Sequence, residues 1–177
     1  MKQLSIVLGL VTLLILANAT HKPVANVAQA VKDWERAKEY TKEYLDAMPE
    51  EGYKLKPTPE IRSFAEQMMH LADANFGFTA ATTGKASPME RGAAEKAAAT
   101  SSKEQVMKTV MDSYDFAING LKGMSDAQLG ETIKLFGRDM TREVAFAKCF
   151  EHQTHHRGQT TIYLRLKGIK PPNEKLF

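Results

Sequence analysis

Apolar residues recur along this chain at intervals of three and four, and the pattern is sustained in four separate stretches. In the first, roughly residues 27–48, Val27, Val31, Trp34, Ala37, Thr41, Tyr44 and Met48 form one stripe, the signature of an amphipathic helix. Pro49 and the segment "EEGYKLKPTP" end it. The second stretch is expected to start at Thr58 as N-cap, with Pro59 at the first helical position, and to run to about Ala81. Its stripe is Ile61, Phe64, Met68, Leu71, Asn75 and Phe78. The third opens at Ser101 or Ser102 and carries Met107, Val110, Tyr114, Ala117 and Leu121. The fourth begins near Asp139 or Thr141 and stops at Gly168, a glycine followed by Pro171 and Pro172. No segment shows the alternation of a strand. The expected fold is all-α, a four-helix bundle.

Two connections are long. The segment "TTGKASPMERGAAEKAAATS" between the second and third helices reads as an exposed crossover with room for a turn of helix. The segment "GMSDAQLGETIKLFGRD" between the third and fourth reads as a loop of roughly sixteen residues, long enough to be a candidate functional segment.

The N-terminus belongs to a different class. Lys2, an apolar run and Ala17-Asn18-Ala19 make a short basic region, a hydrophobic region and a small-x-small cleavage site. The run is about 15 residues, short of the roughly 20 that span a bilayer. Residues 1–19 are therefore expected to be a cleaved signal peptide, with residues 20–177 forming one exported domain, periplasmic or secreted, without a stable membrane span. The lone Cys149 excludes an internal disulfide, so packing or a metal must hold the domain. The net charge is +3, with acids interspersed among the Lys and Arg residues, so a nucleic-acid partner is not expected.

The fourth helix carries the chemistry. Its seam reads Ala145, Cys149, His152, His156, Gln159, Tyr163 and Leu166, the spacing of a packed helix with two imidazoles and an amide in the middle. Unpaired polar groups are costly there. His152 and His156, at i and i+4, lie roughly 40° apart around the axis and can reach one ion; lining a wet groove would satisfy them equally well. His155 is the competitor, suited to the rim. His70 falls on the polar face of the second helix with Ser63, Glu66, Gln67, Ala74 and Gly77, either solvated or lining a cleft. Glu66 and Gln159 are weak general-base candidates. Arg157 and Arg165 are cations able to draw an acidic substrate or to sit in solvent. Cys149 reads first as a small buried hydrophobe.

Two blocks of sequence resemble a known family. "KPTPEIRSFAEQMMHLADANFGF", Lys56 to Phe78, and the pattern H-x-x-H-H-R-G-Q…Y-L-R…G-I-x-P-P, His152 to Pro172, are similar to those of the DinB-like, damage-inducible family of four-helix metal-binding proteins, over essentially the whole mature chain. The resemblance implies an up-down-down-up bundle, with the long crossover joining two helices that run the same way. It implies a divalent metal (zinc, nickel, iron or manganese) held by His70, His152 and His156, and often a homodimer. Three neutral imidazoles leave a coordination position open for water or an anion. The implied activity is a metal-dependent transferase, using a small thiol, or a hydrolase acting on a small-molecule substrate; a bundle in which the metal is purely structural is the alternative. Export argues against the thiol cosubstrate, and export and charge together argue against DNA repair.

Overall fold

The computed structural model describes residues 26–177; the signal-peptide reading of residues 1–19, and Thr20 and His21, lie outside the described residues. The fold is mostly helical. Four long helices dominate: α1 (Val27–Ala47), α2 (Phe64–Thr83), α4 (Lys103–Lys122) and α6 (Arg142–Leu166). Between them lie a 3-10 turn at Glu50–Lys54, the short helices α3 (Ala93–Ala97) and α5 (Asp126–Leu129), and strands β1 (Thr132–Leu135) and β2 (Arg138–Thr141). Among the described residues no helix is long and apolar enough to cross a membrane.

Each long helix starts where a side chain can satisfy its first free N–H groups. Asn26 Oδ1 accepts from Gln29 N at 3.0 Å ahead of α1, and Thr141 Oγ1 accepts from Val144 N at 3.2 Å ahead of α6. Ser102 forms a reciprocal capping box with Gln105, as expected for the third long helix. The start of α2 corrects the sequence reading. The N-cap is Ser63, not Thr58, and Ser63 forms a capping box with Glu66. Two reciprocal bonds outcompete a proline at the first turn. The preceding segment makes a single turn, with Ile61 N bonded to Thr58 O at 3.2 Å, and Ile61 is exposed rather than part of the core stripe. The helix runs on to Thr83 and ends at Gly84, whose φ of 75° is the left-handed cap that glycine favours.

The long segment between the third and fourth long helices also needs correcting. It holds α5 and an antiparallel hairpin in which Thr132 pairs with Thr141 and Leu135 with Arg138. Two four-residue strands, with Leu135 the one buried residue of β1, give too little alternation to stand out in sequence.

α1 packs against α4 and α6, and so does α2. The core between them is filled by Trp34, Phe64, Met68, Leu71, Tyr114, Leu121, Tyr163 and Leu164. A polar string crosses it: Tyr114 Oη accepts from Thr41 Oγ1 at 2.7 Å and donates to Gln153 Oε1 at 2.7 Å, and Arg157 Nη1 donates to the same oxygen at 2.9 Å. Arg157 is thus buried, 8% exposed, with its guanidinium 4.5 Å from the Tyr40 ring centroid; it is not the surface cation that its helix position suggested.

Candidate metal centre

α2 and α6 bring His70, His152 and His156 together. Each can offer one nitrogen such that all three nitrogens lie within 4.8 Å of one another. The ring centroids are 5.2 Å apart for His70 and His152, 4.6 Å for His70 and His156, and 4.4 Å for His152 and His156. His152 and His156 converge because i and i+4 share a helix face. His70 meets them because the polar face of α2 is turned toward α6 rather than to solvent. The three can therefore bind a metal ion.

The surrounding groups fix the rings. His70 Nδ1 donates to Glu95 Oε2 at 2.7 Å, and Arg62 Nε donates to Glu95 Oε1 at 2.6 Å. Burial works against the charge on Glu95, but the bonds from Arg62 and His70 overcome it and hold the carboxyl below the usual range. His156 Nδ1 donates to Gln67 Oε1 at 2.8 Å. Gln67 Nε2 donates to Gln159 Oε1 at 2.6 Å, and Gln159 Nε2 donates to His155 Nε2 at 2.7 Å. These directed bonds leave the Nε2 lone pairs of His70 and His156 free for a ligand, the pattern in which an outer partner orients a metal-binding imidazole. His152 Nδ1 is buried and has no hydrogen-bond partner among the described residues. Burial, reinforced by neighbouring imidazoles, lowers the pKa of His152 to about 4 and that of His156 to about 3. Both are neutral at physiological pH, the form a metal requires. Three imidazoles, two already oriented and one carrying an orphaned buried nitrogen, fit a divalent ion.

Glu95 is the residue that sequence reasoning missed. It stands on α3, inside the supposed linker. Asp73, one turn beyond His70, places it: Asp73 Oδ1 accepts from Ala94 N at 3.2 Å and Oδ2 from Glu95 N at 2.9 Å. No helix periodicity marks a five-residue helix, so the signal lay only in an acid within an alanine-rich run.

The other candidates fall outside the cluster. Glu66 serves the capping box and pairs with Lys56 at 3.0 Å. His155 is exposed and bonds Gln159 at the rim, and Gln159 steadies Gln67. Cys149 is fully buried, and desolvation pushes its thiol pKa up, which makes it core material and not a nucleophile. Arg165 is exposed.

The sequence profile of the DinB family matches residues 19–176. The chain belongs to the DinB family. No curated protein matches it. The fold is similar to that of several solved structures. A DinB-like protein from Bacillus cereus is 19% identical, with a TM-score of 0.70, covering 86% of this chain and 99% of its own. A DinB-like protein from Bacillus subtilis is 21% identical, with a TM-score of 0.64, covering 84% and 96%. A conserved protein from Enterococcus faecalis is 21% identical, with a TM-score of 0.65, covering 78% and 95%.

Proposed function

We propose that this DinB-family protein binds one divalent metal ion through His70, His152 and His156, keeps a coordination position open, and works as a metal-dependent transferase or hydrolase on a small molecule. The observation that carries the reading is the convergence of three imidazole nitrogens within 4.8 Å of one another from two helices. When bound, a divalent ion with three imidazole ligands supplies a Lewis-acid centre and lowers the pKa of a water or thiol beside it. The chain's own part is to hold the rings: Glu95 orients His70, and Gln67, braced by Gln159, orients His156. Imidazole accepts zinc, nickel, iron(II) and manganese, so the ion is to be identified by elemental analysis of protein from its native compartment.

The long helices are read as an up-down-down-up bundle. The pairing of Lys103 Nζ with Met48 O at 2.6 Å supports α4 running against α1. Tyr163 bonded to Arg62 O and Gln67 bonded to His156 support α6 running against α2. Residues 84–102 then cross between two helices of like direction. We further read residues 1–19 as a signal peptide and residues 20–177 as an exported domain. Export favours the hydrolase over a reaction that consumes a reduced thiol.

The test is metal content and unfolding free energy of the wild type and of His156→Ala. A catalytic site predicts loss of the ion with the fold retained. A structural site predicts loss of several kcal/mol of stability with the ion. Absence of any ion in the native protein, with none taken up on titration, refutes the metal-binding reading.

A further inference from the structure

The β1–β2 hairpin turns on two residues, and both have positive φ: Phe136 at 51° and Gly137 at 77°. Such a turn is of type I′, in which Asn or Asp usually stands first because a short polar side chain tolerates the left-handed region. Phe136 is a poor occupant by that standard, and its side chain does not compensate by burial, since it is 66% exposed. Neither backbone preference nor core packing accounts for a phenyl ring at this position. Strained backbone that the fold does not need is a common mark of a ligand site.

The ring lines the same cleft as His70 and His152. Phe136 packs edge-on to Phe78, with centroids 5.2 Å apart, and Phe78 lies 6.4 Å from the His152 ring. A cleft of about 460 Å³ is bounded by His70 and His152 and walled by Phe76, Phe78, Met89 and Phe136. That is the size of a small-molecule site, and apolar walls with a few convergent polar groups are its usual chemistry. Gly77 leaves the α2 side of the cleft bare: a Cβ built there would meet nothing within 4 Å.

We propose that Phe136 is the outer wall of a binding site for a small molecule with a flat apolar group, whose polar end reaches the three-histidine centre. The proposal rests on the metal-binding reading above and adds the substrate class. Rings set edge-on to one another accept a further flat ring in offset or edge-to-face contact, whereas a small polar substrate would gain nothing from them.

The experiment uses the zinc-loaded protein and two hydroxamates with the same chelating head, acetohydroxamate and benzohydroxamate. The wild type is expected to bind the phenyl compound at least about ten-fold more tightly than the methyl one. Phe136→Asn suits the turn, so its thermal stability should hold or rise while most of that preference disappears and acetohydroxamate binding is kept. Gly77→Leu places a side chain in the cleft at a helical position where it improves helix propensity, and should also abolish the preference. Acetohydroxamate binding with no gain from the phenyl group, or a gain that survives both substitutions, overturns the proposal and leaves the metal reading intact. A marked loss of thermal stability in Phe136→Asn with the preference unchanged assigns the ring to the fold and overturns it too. Failure of the wild type to take up zinc, nickel, iron(II) or manganese overturns both.

Discussion

Glu95 gives the sharpest test of how the centre is held. Its two oxygens accept from His70 Nδ1 at 2.7 Å and Arg62 Nε at 2.6 Å. Glu95→Ala removes the acceptor and frees the His70 ring to rotate or to change tautomer. Removing the outer partner of a metal-binding imidazole costs roughly 10–100-fold in affinity, or about 1.4–2.7 kcal/mol. The fold should notice much less. The pairs lie at a partly exposed surface, with side-chain exposures of 39% for Arg62, 27% for His70 and 31% for Glu95, and such pairs contribute about 0–1 kcal/mol. The side chain of Glu95→Gln can still accept from His70, but without the charge, so it should fall between the two. The assay is competition for zinc or cobalt(II) against a chromophoric chelator, with urea denaturation of the metal-free proteins alongside. The expected order of affinity is wild type, Gln, Ala, at nearly constant stability. Wild-type affinity in Glu95→Ala would refute the orienting role. A large fall in stability would show instead that Glu95 acts by holding the crossover in place.

The metal-free protein should lose stability on mild acidification. The folded pKa values of His152 and His156, about 4 and about 3, lie below the unfolded value of about 6.5. Their contribution is therefore complete above pH 6.5 and is lost as pH falls toward the folded values, at up to about 1.4 kcal/mol per pH unit for each histidine. Urea midpoints between pH 6.5 and 5, before most carboxylates protonate, should show this slope, and His152→Gln/His156→Gln should flatten it. Tyr114→Phe should cost roughly 1–3 kcal/mol in urea unfolding, because the fully buried hydroxyl joins Thr41 to Gln153; zinc affinity should not change.

How far the sequence discloses the site depends on how locally each part is encoded. The seam of α6 is legible because His152, Cys149 and His156 repeat at helical spacing within one element, and the structure keeps them on one face. The capping box at Ser63 and Glu66 was equally local and present in the sequence; the Thr58-Pro59 pair concealed it by offering another plausible start. His70 was ambiguous because a helical wheel separates apolar from polar faces and says nothing of what covers the polar one. Here α6 and the crossover cover it. Glu95 was not legible at all. Its bond to His70 spans 25 positions and depends on Asp73 capping a helix too short to have a periodicity. The hairpin escaped notice for a related reason: its turn carries Phe136 where a turn signal would be Asn or Asp.

The missed elements are those that separate a histidine cluster from a working site. Packing explains α6 on either side of the histidines, since Ala145 and Cys149 below them and Tyr163 and Leu164 above are buried as an ordinary helix seam would be. It does not explain the middle. Two imidazoles that resist protonation, one carrying an orphaned buried nitrogen, cost stability that leucines at those positions would not. Gln67, braced by Gln159, offsets part of that cost by satisfying the outer nitrogen of His156, Glu95 does the same for His70, and both bonds turn the inner nitrogens of those two rings toward the cluster. A groove that merely tolerated wet histidines would have no need to orient them. The arrangement instead sacrifices packing for the direction of the lone pairs, which is a property that matters to a bound cation and not to the fold.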